Sequence, residues 1–249
     1  MLDLLSRSID MRPAFFDALH MLGVACYQGG QPLQGVALIS KAIELRPQIA
    51  QAHNNLGNAL ITCGQIPEAI AAYEQAANLK PDFAEAFYNA GCALAKLGEY
   101  PLAISCYSKA IEIEPHYWQA YANRGLAFDR TLIPEMAADD YKAALKLDPK
   151  NADLNCKLGN HYFGQHMPLK ALEAFTQALA IEPDTPYLQG NVLQAKTQLC
   201  EWKDWKSSIK SVNDLIQSGC EHAIHPMHVI NYLDDPVTQR QVAEDWIKA

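Results

Sequence analysis

Three asparagines stand 34 residues apart, at Asn55, Asn89 and Asn123, and a fourth, Asn191, falls two such intervals further on. A primary amide carries a donor and an acceptor, so each of these side chains can pair with the backbone C=O and N–H of another polypeptide without reading its side chains. Met21 and Lys157 take the equivalent places elsewhere and interrupt the series. On a helix, Asn54, Tyr88, Asn58, Asn160, Lys96 and Arg130 share the face that carries these amides. The competing reading is that the amides bond only within or between helices and that the remaining residues form a solvated face.

Other reactive residues form no comparable pattern. His222, His225 and His228 are spaced by three, but Pro226 breaks any helix joining them and only Glu221 adds a ligand type, so no metal site is expected. The seven cysteines include no C-x-x-C pair, which points to reduced, packed thiols in a cytoplasmic protein. No Ser/His/Asp or Cys/His nucleophile set emerges, so the chain as it stands is not expected to be an enzyme. Asp139 and Asp140 read as a solvated first helical turn, and Asp234-Asp235 as a helix cap. A net charge of −8 without a basic run argues against nucleic acid. No apolar run approaches the roughly 18 residues of a membrane span, and Asp3 stands where a secretory leader would be basic.

The elements that must hold the asparagines are marked by proline. Pro13, Pro47, Pro81, Pro115, Pro149 and Pro183 repeat every 34 residues. With units beginning at Phe16, Ala50, Ala84, Trp118 and Ala152, glycine recurs at the eighth position (Gly23, Gly57, Gly91, Gly125, Gly159). Alanine recurs at the twentieth (Ala69, Ala103, Ala137, Ala171), with Gly35 in the first unit, and at the twenty-seventh from Ala42 to Ala178. A larger residue fills the twenty-fourth: Ile39, Tyr73, Tyr107, Tyr141 and Phe175. A helix-interior glycine costs about 1 kcal/mol against alanine, so its recurrence implies two helices brought close by small residues, one on each. Pro32, Pro67, Pro101, Pro134 and Pro168 open each second helix, where a missing N–H does no harm. Gly30, Gly64 and Gly98 end the first helix in three units.

A 34-residue helix–turn–helix unit with these small, aromatic and proline positions resembles the tetratricopeptide repeat. The resemblance implies an all-α, right-handed superhelix. Residues 1–15 then supply a partial repeat, a second helix only. Residues 16–185 supply five units, and residues 186–249 a degenerate helical cap and linker. In that last segment Leu193 and Trp205 replace the small residues, which predicts a splayed pair, and a short helix is expected at about 236–248. In one well-known use of the fold, Lys and Arg clamp an acidic C-terminus; here Gln51, Asn54 and Asn55 stand where those cations are needed.

Beyond the repeats, Leu199-Cys200-Glu201-Trp202, His225-Pro226-Met227-His228 and Asp234-Asp235-Pro236-Val237-Thr238-Gln239 follow in order. They resemble the stretch that joins repeats to catalytic core in O-linked N-acetylglucosamine transferases and their SPINDLY-like relatives. That resemblance implies a UDP- or GDP-sugar bound by a catalytic glycosyltransferase domain in cis, with no cofactor in this chain. It makes His225 and His228 weak catalytic candidates, although Met227 replaces a family histidine. It also places the asparagines on a concave groove that holds the main chain of a protein substrate. A step of about 10 Å per repeat against ~3.4 Å per extended residue gives roughly three substrate residues per unit. The leading expectation is a non-catalytic, substrate-recruiting array using Asn55, Asn89, Asn123, Asn54, Asn58 and Tyr88. The alternative is a free-standing adaptor or scaffold with no enzymatic partner domain. Pairing of two copies through the convex face is a further possibility.

Overall fold

The computed structural model describes residues 12–183, 188–200 and 205–217. Every regular element among them is an α-helix, and no strand occurs among the described residues. The chain divides into two compact units, Met1–Thr131 and Leu132–Ala249. The first holds α1 (Arg12–Gln28), α2 (Pro32–Leu45), α3 (Ala50–Thr62), α4 (Ile66–Leu79), α5 (Ala84–Lys96), α6 (Tyr100–Ile113) and α7 (Trp118–Arg130). The second holds α8 (Pro134–Leu147), α9 (Ala152–Gly164), α10 (Pro168–Ile181), α11 (Leu188–Gln198) and α12 (Trp205–Gln217).

Proline sets the helix ends. Pro32, Pro67, Pro101, Pro134 and Pro168 each fall in the first two positions of a helix. At the other end of those helices, Arg46, Lys80, Glu114, Asp148 and Glu182 donate their backbone N–H to an alanine carbonyl four residues back. All five have non-helical backbone, for example φ −142°, ψ 80° at Arg46 and φ −128°, ψ 88° at Glu114. The following proline ring excludes the helical conformation at the residue before it, which is why the helix stops there. Pro13 departs from this pattern. It lies in the first turn of α1 rather than in a linker after a preceding helix.

Where the first helix of each repeat ends, the chain makes one left-handed residue, again every 34 positions: Gly30 (φ 83°), Gly64 (φ 76°) and Gly98 (φ 81°) in the first unit. In the second unit the same place is taken by Leu132 (φ 59°), His166 (φ 56°) and Cys200 (φ 54°). The repeat therefore persists in backbone conformation to Cys200, past the point where the glycine signal fades from the sequence.

Inside the hairpins the seam is built of alanine. Ala42, Ala69, Ala76, Ala103, Ala110, Ala137, Ala144, Ala171 and Ala178 are all fully buried. Alanine fills that space at little entropic cost and is the best helix former. The eighth-position glycines face the twenty-fourth residue. A methyl added to Gly57 would lie 2.4 Å from the Tyr73 ring, at Gly91 2.7 Å from Tyr107, at Gly159 2.5 Å from Phe175 and at Gly23 2.6 Å from Ile39. The close approach is thus glycine against a large side chain more than glycine against the twentieth-position alanine. Burying Ile39 or Phe175 in this way contributes roughly 1.5–3 kcal/mol each. In the second unit, α11 buries Leu188 and Leu193. Asp140 is also a correction. It sits in the middle of α8 and is buried, while Asp139 is exposed and pairs with Lys142.

Candidate functional site: an amide relay across first helices

Helices α1, α3, α5 and α7 lie in succession within the first unit, each touching the next. The asparagine series runs across them by a single rule: the amide of one repeat bonds back to the preceding first helix. Asn89 Nδ2 donates to Asn54 Oδ1 at 3.0 Å and lies 3.4 Å from Asn58 Oδ1. Asn123 Nδ2 donates to the Tyr88 hydroxyl at 3.0 Å and lies 3.5 Å from Cys92 Sγ. Asn55 Nδ2 sits 2.9 Å from His20 Nε2, and Asn55 Oδ1 accepts from Gln51 at 3.3 Å. In the second unit Asn191 Nδ2 repeats the geometry on Asn160 Oδ1 at 3.4 Å. These partners lie 31 or 35 residues back, one repeat minus three or plus one. They are the two residues flanking the equivalent asparagine along the facing helix surface.

The acceptors are themselves held. Asn54 is fully buried, and its Nδ2 donates to Glu85 Oε1 at 3.0 Å. This corrects the expectation that Asn54 offers its amide to a peptide; it orients Asn89 instead. Asn58 Oδ1 also accepts from the Tyr73 hydroxyl at 2.8 Å. Tyr88 packs against Tyr117 and Tyr107, with ring centroids 4.8 and 5.9 Å away. Burial, with the Cys92 sulfur beside it, raises the Tyr88 phenol well above its usual range, so it stays a neutral acceptor for Asn123. Burial lowers the His20 pKa, opposed by the Asp17 carboxylate. The imidazole is therefore held neutral, with a lone pair available to the Asn55 amide.

Asn55, Asn58, Tyr88, Asn89 and Asn123 are all half-buried on this surface. The Oδ1 atoms of Asn89 and Asn123 accept no hydrogen bond among the described residues. Two recesses open beside them. One, of about 360 Å³, is lined by Asn123, Tyr100, Tyr107, Leu126, Lys96 and Arg130. The other, of about 330 Å³, is lined by Asn89, Asn58, Tyr73, Tyr27 and Lys96 among others. Sequence reasoning missed His20, Gln51, Glu85 and the twenty-fourth-position tyrosines as parts of this surface. Their signal was present, since His20 and Tyr88 stand at the fifth position of their units just as Asn54 does.

Lys157, which interrupts the series, pairs with Asp153 one turn back on α9. The expected cap at Asp234-Asp235, the helix at 236–248, the Glu201-Trp202 motif, and His222, His225 and His228 lie outside the described residues. Among the described residues no three His, Cys, Asp or Glu side chains gather as a metal site. No described helix is long and apolar enough to cross a membrane.

Family models described as TPR repeat match residues 57–98 and 135–165, and models described as tetratricopeptide repeat match 38–71 and 84–117. These segments are tetratricopeptide repeats. MamA from Desulfovibrio magneticus RS-1 is similar at 22% identity over 68% of this chain and 96% of that chain, with a TM-score of 0.64. YrrB, a TPR protein with an unusual peptide-binding site, is similar at 23% identity over 77% and 97%, TM-score 0.62. Pseudomonas aeruginosa PilF is similar at 17% identity over 96% and 99%, TM-score 0.70. At such identities the likeness is one of fold. No curated protein matches the chain.

Proposed function

We propose that the first unit is a polypeptide-binding array and that Asn55, Asn89 and Asn123 hold the main chain of the bound segment. The observation that carries this reading is the division of labour in Asn89 and Asn123. Each commits its Nδ2 to the preceding repeat and presents an Oδ1 with no partner among the described residues. Two fixed acceptors one repeat apart suit backbone N–H groups three residues apart in a polyproline II-like chain, which makes three residues per turn at ~3.1 Å each. Tyr88 and Asn58 contribute by fixing the amides as much as by touching a peptide.

The protein works as an adaptor in this reading, without need of an attached catalytic domain. The similar chains named above are covered almost end to end by the same fold. The transferase-linked reading has as its support only the short motifs at 199–202, 225–228 and 234–239, nearly all of them outside the described residues. Intact mass of the native protein separates the two.

The groove is tested with a random 12-residue peptide library selected on the protein. Kd values of the selected peptides are then measured by calorimetry for wild type, Asn123→Ala and the triple Asn55/Asn89/Asn123→Ala variant. Binding should weaken at least tenfold in the triple variant and severalfold in the single one, with far-UV circular dichroism unchanged at low temperature. Melting will fall as well, since each substitution removes a hydrogen bond between repeats, of about 1 kcal/mol. An unaltered Kd in folded variants removes the groove reading.

A further inference from the structure

Lys96 and Arg130 are exposed, occupy the same position of successive repeats, and make no ion pair among the described residues. Both border the 360 Å³ recess, whose walls are Tyr100, Tyr107 and Leu126 and which no carboxylate lines. Lys96 also borders the neighbouring recess beside Asn89. In a chain of net charge −8, two exposed cations over an apolar hollow, without an ion pair among the described residues, form a local reversal of sign. An anionic partner is complementary to it.

We propose that this recess takes an acidic, proline-rich segment of a partner protein, with two carboxylates three residues apart and an aliphatic side chain between them. The proposal rests on the groove reading above and names the class of its ligand. Packed helices lie about 8–10 Å apart, which sets the separation of equivalent positions on α5 and α7. A polyproline II chain advances ~3.1 Å per residue with three residues per turn. Its residues i and i+3 therefore lie on one side about 9 Å apart. A β-extended chain would turn those two side chains to opposite faces. Lys96 and Arg130 then each meet one carboxylate, the aliphatic group fills the space beside Tyr107 and Leu126, and Asn123 Oδ1 meets a backbone N–H.

The test uses fluorescence anisotropy with three labelled peptides of one frame, Pro-Pro-X-Leu-Pro-X-Pro-Pro, where X is Asp, Asn or Lys. Each is titrated with wild type and with the Lys96→Glu/Arg130→Glu variant; both side chains are exposed, and circular dichroism verifies the fold. Wild type should bind the Asp peptide about tenfold more tightly than the Asn peptide, the scale of two exposed ion pairs. In the variant the order should reverse, with the Lys peptide binding best. Equal binding of the Asp and Asn peptides, or an order unchanged by charge reversal, overturns the proposal. If Asn123→Ala still weakens those peptides, the groove reading survives it. Absence of binding by all three peptides at millimolar concentration also overturns the proposal, and the library selection then decides the groove reading alone.

Discussion

Replacing Gly57 by alanine couples the packing of one hairpin to the chemistry of the binding surface. The added methyl would sit 2.4 Å from Tyr73 Cε1, 2.7 Å from Cδ1 and 2.7 Å from Cζ, so the ring edge must move by about an ångström to reach contact distance. Tyr73 is only 2% exposed, and its hydroxyl is held by Asn58 Oδ1 at 2.8 Å. Overpacking of this kind costs about 1–3 kcal/mol, and stretching or losing the hydroxyl bond adds about 1 kcal/mol. Alanine returns about 1 kcal/mol of helix propensity. The expected net is a loss of roughly 1–3 kcal/mol in urea denaturation. Gly164→Ala is the control: it lies exposed at the end of α9 with nothing within 4 Å of the added methyl, and should gain up to about 1 kcal/mol. Tyr73→Leu should absorb most of the Gly57→Ala penalty, giving a coupling of about 1 kcal/mol or more in a double-mutant cycle. The reasoning is refuted if Gly57→Ala is as stable as wild type, or if the two substitutions are additive.

Three further outcomes follow from the same geometry. Leu132 has a left-handed backbone and is 87% exposed, so Leu132→Gly should stabilise by roughly 0.5–1 kcal/mol, whereas Gly98→Ala should destabilise although nothing blocks its methyl; thermal melts of both check the pair. His20 has a folded pKa below its usual 6.5, so the unfolded chain takes up the proton first. The stability it contributes is complete above pH 6.5, is lost as pH falls through 6.5 towards the lower folded value, and then levels; urea midpoints against a His20→Gln variant from pH 8 to 5 should show that loss in wild type only. Cys156 has its thiol pushed up to about 11 by burial, and Cys200 is exposed, so a thiol reagent at pH 8 followed by peptide mass analysis should mark Cys200 well before Cys156.

Most of the hairpin architecture was legible because 34-residue periodicity acts through rigid residues. Proline fixes φ and forbids the helix before it, and that is visible at Pro47, Pro81, Pro115, Pro149 and Pro183 in both sequence and structure. Pro13 misled because proline is tolerated both after a helix and in its first turn, and spacing alone does not separate the two. Leu132, His166 and Cys200 keep a left-handed turn that glycine announces only in the first three hairpins. The loop length enforces that turn where the residue type does not. The site was legible as a face but not as a network. Helical spacing placed Asn54 beside Asn55, yet one step around a helix separates a surface position from one closed over by the next repeat. Asn54 is buried with its amide on Glu85, 31 residues away, and no local pattern encodes that.

Asn89 puts the distinction between a fixed amide and a solvated one to a sharp test. Were Asn89 simply exposed, exchange for aspartate would cost little more than exchange for alanine. In the structure an aspartate there would face Asn54 Oδ1 at 3.0 Å and Asn58 Oδ1 at 3.4 Å. Neither acceptor can turn into a donor cheaply. Rotating Asn54 would set its oxygen against Glu85 Oε1, which now receives its Nδ2. Rotating Asn58 would remove the acceptor of the Tyr73 hydroxyl. A half-buried carboxylate against two oxygens loses the hydrogen bond and adds repulsion, so Asn89→Asp should cost about 1–2 kcal/mol more than Asn89→Ala at pH 7. The excess should vanish near pH 3, where a protonated carboxyl donates as the amide did. Urea denaturation of both variants at the two pH values reads this directly. An aspartate no worse than alanine at pH 7 would mean that the amide is not held by its neighbours and that the row of fixed acceptors does not exist.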